Sequence, residues 1–479
     1  MIFSSATFFV FFAAVMALYS LARTPSQRAV ILLVASLIFY ASWRPVYLLL
    51  LGASLGINYA IYGRLLVTRS KALLVLGITI NLLALGLFKY LGFLIESALW
   101  IDSLWNPSIV ARAPEWVNWA LPLGISFYTF HMLSAMIDVY RGVWAKPITF
   151  RTWCLYVTYF PHLIAGPILR PGQLIDQLNE LRPLDIAEIR LGAAIFAGGL
   201  VKKVLFADNL APIVEKVYAM PNALDGATAW VGTLAFAFQI YFDFSGYSEM
   251  AIGLAWMMGV RLPRNFIYPY IARNPSDFWR RWHITLSQWL RDYLYISLGG
   301  SHRGTARTYF NLMMTMFLGG LWHGASWTFA IWGVLHGAYL IGARLLDAFY
   351  ARSGIAANPR LSRWLSLAGM PLTFLLVCVA WVFFRAPDFK TALTVGGAML
   401  GLVRPSAVLL VLRNYEVLIV ALSAMLVFIE PFVVGRLQKS GIGGWWRIPS
   451  PLRGAVYALG ALFLIVFGGS TQKFIYFDF

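Results

Sequence analysis

The chain has 479 residues, 60% of them hydrophobic and only 12% charged, against about 25% charged in an ordinary soluble domain. So few charges cannot cover a water-soluble globule of this size, which excludes disorder and disulfide scaffolds and specifies an all-α polytopic membrane protein. Lys and Arg number 38 against 20 Asp and Glu, a formal charge of +18. The bases lie between apolar runs, where they mark cytoplasmic loops and meet membrane lipid rather than nucleic acid.

The first apolar run, Ile2–Ala22, has no basic residue ahead of it and no small-residue cleavage site. It reads as a retained helix. Further candidate spans are Ala29–Trp43, Val46–Tyr62, Leu73–Leu99, Trp119–Ile137, Trp153–Leu169 and Ile189–Leu205. Beyond them come Thr228–Val260, Tyr309–Ala343, Trp364–Phe384, Thr391–Val403, Val417–Val434 and Ala455–Gly469. Thr228–Val260 and Tyr309–Ala343 run well past the ~20 residues that cross once, so each is either an extended helix or two segments folded back. The expectation is a single domain over 1–479 with about eleven to thirteen transmembrane or re-entrant helices. Arg23 and Arg28, then Arg64, Arg69 and Lys71, then Arg141, Lys146 and Arg151 follow alternate spans, while Ile101–Trp116 is nearly neutral. That alternation puts the N-terminus outside. No duplicated halves of the transporter kind are visible.

Six histidines are the first suspects for chemistry, because ionisable groups within a span are costly. His323 lies in Met316–Trp327 among Gly319, Gly320 and Gly324, ~24 Å from Arg307 by helix rise and so near mid-membrane. His283 lies in Pro275–Leu294, where Phe278, Trp282, Leu286, Trp289 and Tyr293 share one helical arc. Asp277, Arg280, Arg281, Ser287, Gln288 and Arg291 take the other side. This is the pattern of one amphipathic interfacial helix, with Ser276 or Asp277 as N-cap. By position alone His283 is a solvated residue on its seam. His336 falls off the His323 face of a straight helix and reads as structural, His302 sits in a polar turn, and His131 and His162 are single histidines in apolar runs. Asp243, Ser245, Ser248 and Glu249 interrupt another apolar run and require partners in a polar network lining a cavity. No metal-ligand spacing, P-loop or dinucleotide fingerprint appears, and no permanently bound cofactor is expected.

Five stretches, taken together, resemble a known family. They are Tyr159-Phe-Pro-His-Leu-Ile-Ala-Gly-Pro-Ile168, Phe238–Glu249, Ser276–Gly300, Phe317–Gly337 and Phe474–Phe479. An F-W-R-R-W-H segment followed by an L-W-H-G span is similar to the membrane-bound O-acyltransferases, and within them to the bacterial alginate O-acetylase branch. The resemblance implies that His323 is the catalytic residue and that His283 occupies the second signature position. Two departures are His162, where the pattern has Gln, and Ser297, where it has Pro.

The resemblance further implies a bundle with a central channel in the bacterial inner membrane, its N-terminus periplasmic. Acetyl groups would pass from cytoplasmic acetyl-CoA to an extracytoplasmic polysaccharide such as alginate, directly or through a periplasmic acetyltransferase. Acetylation of peptidoglycan or cellulose, or D-alanyl transfer to teichoic acid, would use the same chemistry. The rival from another class is a transporter of acetyl units or lipid-linked sugars with the histidines as proton relay. In the enzymatic reading His323 is the base, and His283 or a backbone N–H near the glycines stabilises the oxyanion. Arg280, Arg281 and Arg291, with Arg264 and Arg273, hold the donor's phosphates. Gly319, Gly320 and Gly324 form part of the channel wall.

Overall fold

The computed structural model describes residues 1–106, 114, 117, 121–353, 358–405, 409–440, 450–468 and 474–475. Among them every regular element is helical. The first group comprises α1 (Ala6–Leu21), α2 (Pro25–Ala41), α3 (Tyr47–Thr68), α4 (Lys71–Leu85) and α5 (Leu91–Ser103). α4 runs into α5 through a π turn, Gly86–Tyr90. Local chemistry sets these ends. Thr24 and Gln27 form a capping box with Pro25 in the first turn of α2, and Ser70 accepts from Leu73 N at the start of α4. Asn58 of α3 and Asn81 of α4 hydrogen-bond at 2.6 Å, a polar clasp between helices whose outward residues, such as Leu49 and Val67, are exposed and apolar.

The middle of the chain builds the core. It holds α6 (Ile125–Arg141), α7 (Phe150–Thr158), α8 (Pro171–Asn179), α9 (Ile186–Val201), α10 (Asp208–Ala219) and α11 (Gly226–Met257). α11 is 32 residues long and buried along most of its length. α9, α10, α16, α17 and α18 all pack on it. Where α9 crosses α11, Gly192 and Gly199 face Gly253 and Gly246; an added Cβ would stand 2.4–2.7 Å from the opposing carbonyl oxygens, so the backbones are in contact.

The remaining elements are α12 (Pro275–Arg281), α13 (Ile284–Trp289), α14 (Thr305–His323), α15 (Trp327–Arg352), α16 (Pro359–Arg385), α17 (Phe389–Met399), α18 (Asn414–Ser440) and α19 (Ser450–Phe467). Among the described residues, five helices are long and apolar enough to cross a membrane: Tyr47–Thr68, Lys71–Ser103, Trp327–Arg352, Pro359–Arg385 and Asn414–Val433. α1 and α2 are shorter apolar helices.

The long run Thr228–Val260 is one helix, whereas Tyr309–Ala343 is two, broken at Gly324–Ser326. Two expected spans yield only short helices. Trp153–Leu169 yields only α7, because Pro161, Gly166 and Pro167 prevent continuation. Its buried irregular backbone is satisfied by side chains instead: Phe160 N donates to Ser36 Oγ at 3.0 Å and Ile168 N to Thr285 Oγ1 at 2.9 Å. Thr391–Val403 yields α17, which ends at Met399. Most of the Ile101–Trp116 loop from residue 107 onward, and residues 476–479 of the terminal motif, lie outside the described residues. The buried carboxylates do have partners: Asp243 pairs with Lys203, which also binds Asp208, and Glu249 pairs with Lys202, which also binds Glu430.

Candidate active site

His323 is the last residue of α14, and the chain turns back into α15 four residues later. Its ring is 3% exposed as a residue and is boxed by Trp322, Trp332 and Phe384 at centroid distances of 4.9, 5.1 and 5.3 Å. The nearby glycines serve this turn. A Cβ on Gly320 would stand 2.3 Å from Phe329 O and 3.0 Å from Gly333, and one on Gly324 would enter the Phe329 ring. Gly319 faces Leu290. Gly320 and Gly324 therefore let α14 and α15 touch, and none of the three glycines is among the residues lining the two cavities described below, where the expectation had them in a channel wall.

The expected single helix around His283 is broken. Asn274, not Ser276 or Asp277, caps α12, accepting from Asp277 N at 2.8 Å with Pro275 in the first turn. Further on, Ile267 N donates to Arg281 O and Ile284 N to Asn265 O, each at 2.9 Å. This ladder with a preceding loop pulls Trp282 into an extended conformation and His283 to φ 41°, ψ 55°. A left-handed conformation is costly for a non-glycine residue and persists only where its surroundings enforce it. After the break the chain re-forms α13 and a π turn, Leu290–Tyr295.

The break turns His283 inward. Rather than solvated, it is fully buried, edge-on to Phe244 at 4.6 Å. Its ring lies 6.4 Å from that of His323. Asn265 Oδ1 receives Thr285 N at 3.1 Å, Thr285 Oγ1 at 3.0 Å and His283 Nδ1 at 3.2 Å. The Thr285 N–H can only donate, so the Asn265 atom facing it must be the oxygen. His283 Nδ1 therefore carries the proton, and Nε2, which has no hydrogen-bond partner among the described residues, presents a lone pair.

Two cavities bear on the site, and His323 lines the smaller. One, of ≈ 60 Å³, is lined by His323, Trp322, Lys89, Trp43, Ser126 and Pro122 among others. Gly124, which starts α6 at φ +67°, also borders it, and any Cβ there would strike Leu163 O at 2.7 Å. The other, of ≈ 670 Å³, lies between α15 and α16, with Arg273 and Asn274 among its lining and Tyr339 on its wall. Consecutive ring contacts join His323 to Trp332 (5.1 Å), Trp332 to His336 (4.7 Å) and His336 to Tyr339 (5.7 Å). His336 is thus on a second helix beside the site rather than on the far face of the first.

The arginines are elsewhere. Arg280 is exposed, Arg281 Nε binds Asp277 at 2.9 Å, and Arg291 Nε binds Asp292 at 2.7 Å. None is among the residues lining either cavity. Arg273 is, with Nη1 bonded to Ser366 Oγ at 3.1 Å. His302 is exposed in its turn. His131 and His162 are not single histidines but a second buried pair, 4.6 Å apart. Asn265 and Lys89 were not foreseen as site residues. Asn265 carries no sequence signal, whereas a lysine inside the apolar run Leu82–Leu94 is itself one.

Comparison with known proteins fits this geometry. The MBOAT, membrane-bound O-acyltransferase family matches residues 143–376. The probable alginate O-acetylase AlgI of Pseudomonas aeruginosa is 44% identical over 400 residues, covering 82% of this chain and 73% of that protein. The peptidoglycan O-acetyltransferase of Helicobacter pylori is 37% identical over 415 residues, 80% of this chain and 76% of that protein. The teichoic acid D-alanyltransferase of Bacillus subtilis is 26% identical over 286 residues, 56% of this chain and 69% of that protein. The matched family region contains both helix breaks that carry the histidine pair, and relatives of this identity cover most of the chain. The chain belongs to the membrane-bound O-acyltransferase family and is an acyltransferase.

Proposed function

We propose that this protein moves acetyl groups from cytoplasmic acetyl-CoA to an extracytoplasmic polysaccharide in the bacterial inner membrane, with His323 as base. The observation that carries the reading is the meeting of His283 and His323, from two separate helix breaks, at 6.4 Å beside a cavity that His323 lines. Alginate is the first acceptor to test, since the AlgI relatives share most of the chain. Delivery to the polymer directly or through a periplasmic transferase uses the same first step.

An alcohol is a poor nucleophile while protonated, so transfer needs a base beside the hydroxyl. The acceptor hydroxyl gives its proton to His323 as its oxygen bonds to the thioester carbon. The tetrahedral intermediate then expels the thiolate, which takes that proton back as the C–S bond breaks. A neutral His283 cannot donate from Nε2, because Asn265 holds its one proton on Nδ1. Its role is therefore not the oxyanion donor but an acceptor for a neighbouring sugar hydroxyl, which orients the nucleophile. The larger cavity, with Arg273 in its lining, suits a donor bearing phosphates, and the smaller one, lined by His323, suits the acceptor. Arg280, exposed and outside both cavities, then acts as an outlying charge that attracts the donor, while Arg281 and Arg291 are held by Asp277 and Asp292.

The test uses membrane vesicles of known orientation. Inside-out vesicles enclosing alginate oligosaccharides should release free coenzyme A from added acetyl-CoA, while right-side-out spheroplasts given the same donor should not. Acetyl-CoA consumption in neither orientation would turn the reading toward transport. Release with peptidoglycan fragments but not alginate would reassign the acceptor alone.

A further inference from the structure

Lys89 is a charged side chain that neither motif nor family explains. It sits in the π turn between α4 and α5, a helical irregularity found disproportionately at functional sites. Its Nζ donates to Trp322 O at 2.5 Å and to His323 O at 3.0 Å. The next residue, Tyr90, donates its hydroxyl to Leu321 O at 2.9 Å. Two adjacent residues of one helix thus satisfy three successive carbonyls at the end of another. Those carbonyls have no partner within their own helix and carry the negative end of its dipole, so a cation there is favourable. Most helix ends take that partner from water or from nearby sequence; here it comes from 234 residues away.

The clamp also faces the site. Lys89 lines the smaller cavity together with His323, and among the described residues lining it Lys89 is the one Lys, Arg, Asp or Glu. An ammonium has three N–H groups, of which the two carbonyls occupy two. Its neighbourhood is apolar and aromatic, with the Trp322 ring 6.0 Å away, so its charge is weakly screened.

We propose that Lys89 is a positioning residue for acyl transfer. It fixes the carbonyl end of α14 so that the imidazole of His323 points at the acceptor cavity, and it makes that cavity cationic where the oxyanion forms. The inference rests on the reading of His323 as the base. It departs from a plain capping role in one respect: charge, not only hydrogen bonding, is required at this position.

The experiment compares Lys89→Met, Lys89→Gln, Lys89→Arg and Tyr90→Phe with the parent protein and His323→Ala, in reconstituted vesicles, after checking fold by thermal unfolding of the detergent-solubilised protein. Lys89→Met should lower kcat by roughly 10²-fold, the scale of losing a charge that favours a developing oxyanion, with the KM for acetyl-CoA little changed. Lys89→Arg should recover most of kcat. Tyr90→Phe, which removes a clamp hydrogen bond but no charge, should cost far less. Should Lys89→Met fail to insert, Lys89→Gln keeps a donor for the carbonyls without the charge and carries the same test. A Lys89→Gln protein with near-parent kcat overturns the inference, as does a Tyr90→Phe loss equal to that of Lys89→Met. An inactive parent, or an active His323→Ala, would instead defeat the reading of the site itself.

Discussion

The protein buries two pairs of imidazoles, and the contrast between them shows what makes such a pair chemically useful. His131 and His162 are the closer pair, at 4.6 Å against 6.4 Å for His283 and His323. All four residues are at most 3% exposed. In each pair one ring has a fixed tautomer. His162 Nε2 lies 3.1 Å from Tyr156 O, which can only accept, so that nitrogen holds the proton. His283 is fixed through Nδ1 by Asn265. The difference is access. Neither His131 nor His162 is among the residues lining the two cavities; both are buried, one on α6 and the other in the loop after α7. His323 lines a cavity, and both its pair members sit at interruptions of helices, where backbone and side chain can be aimed independently of helical register. Burial and proximity are common to both pairs; an opening to substrate distinguishes one.

The sharpest way to break this contrast is His323→Ala. The variant should fold and insert, since the ring lies at a helix end beside a cavity. Acetyl transfer should fall by roughly 10³-fold or more, the range for loss of a general base. Near-normal transfer in a well-expressed variant would remove the distinction between the pairs. A smaller effect is expected one step back from the chemistry. His283→Asn retains a group that can accept from a sugar hydroxyl and should keep about tenfold more activity than His283→Leu. Asn265→Ala frees the His283 ring and leaves two Thr285 donors without their acceptor, at a cost of about 1–3 kcal/mol for each buried unsatisfied group. Its kcat should fall between those of the two His283 variants. Equal rates in all these proteins would mean that His283 is packing only.

How much of this was legible in the sequence follows from what each residue depends on. His323 was readable because its setting is local: an L-W-H-G motif, glycines and a run too long for one crossing all lie within one stretch. The fold-back at Gly324–Ser326 was one of the two options that length allowed. His283 was not readable as buried. Its aromatic neighbours keep helical spacing straight through the break, and what interrupts the helix is a backbone ladder with residues 265 and 267. Periodicity cannot register a partner that lies in another loop. The carboxylates Asp243 and Glu249 announced that they needed partners, but Lys203 and Lys202 reach them where α9 and α11 cross on glycines. The same holds for Lys89, whose charge in an apolar run was visible while the carbonyls it serves were not.

The smallest expected effect concerns the other pair and is the most direct check on the contrast. His162 stands where the resemblance read from the sequence implies Gln. Its identifiable hydrogen bond is donation from Nε2 to Tyr156 O, and a glutamine amide can make the same bond from a side chain of similar reach. His162→Gln should therefore leave both acetyl transfer and the unfolding midpoint within about twofold and a few degrees of the parent. His162→Leu, by contrast, strips the Tyr156 carbonyl of its donor in a fully buried setting. It should destabilise by about 1–3 kcal/mol while activity per folded molecule stays near that of the parent. The two readouts separate the roles, because a residue that only packs loses stability and one that acts loses rate. If His162→Gln instead lowers the rate per folded molecule tenfold with its midpoint unchanged, the closed pair takes part in transfer. Access would then not be what distinguishes the two.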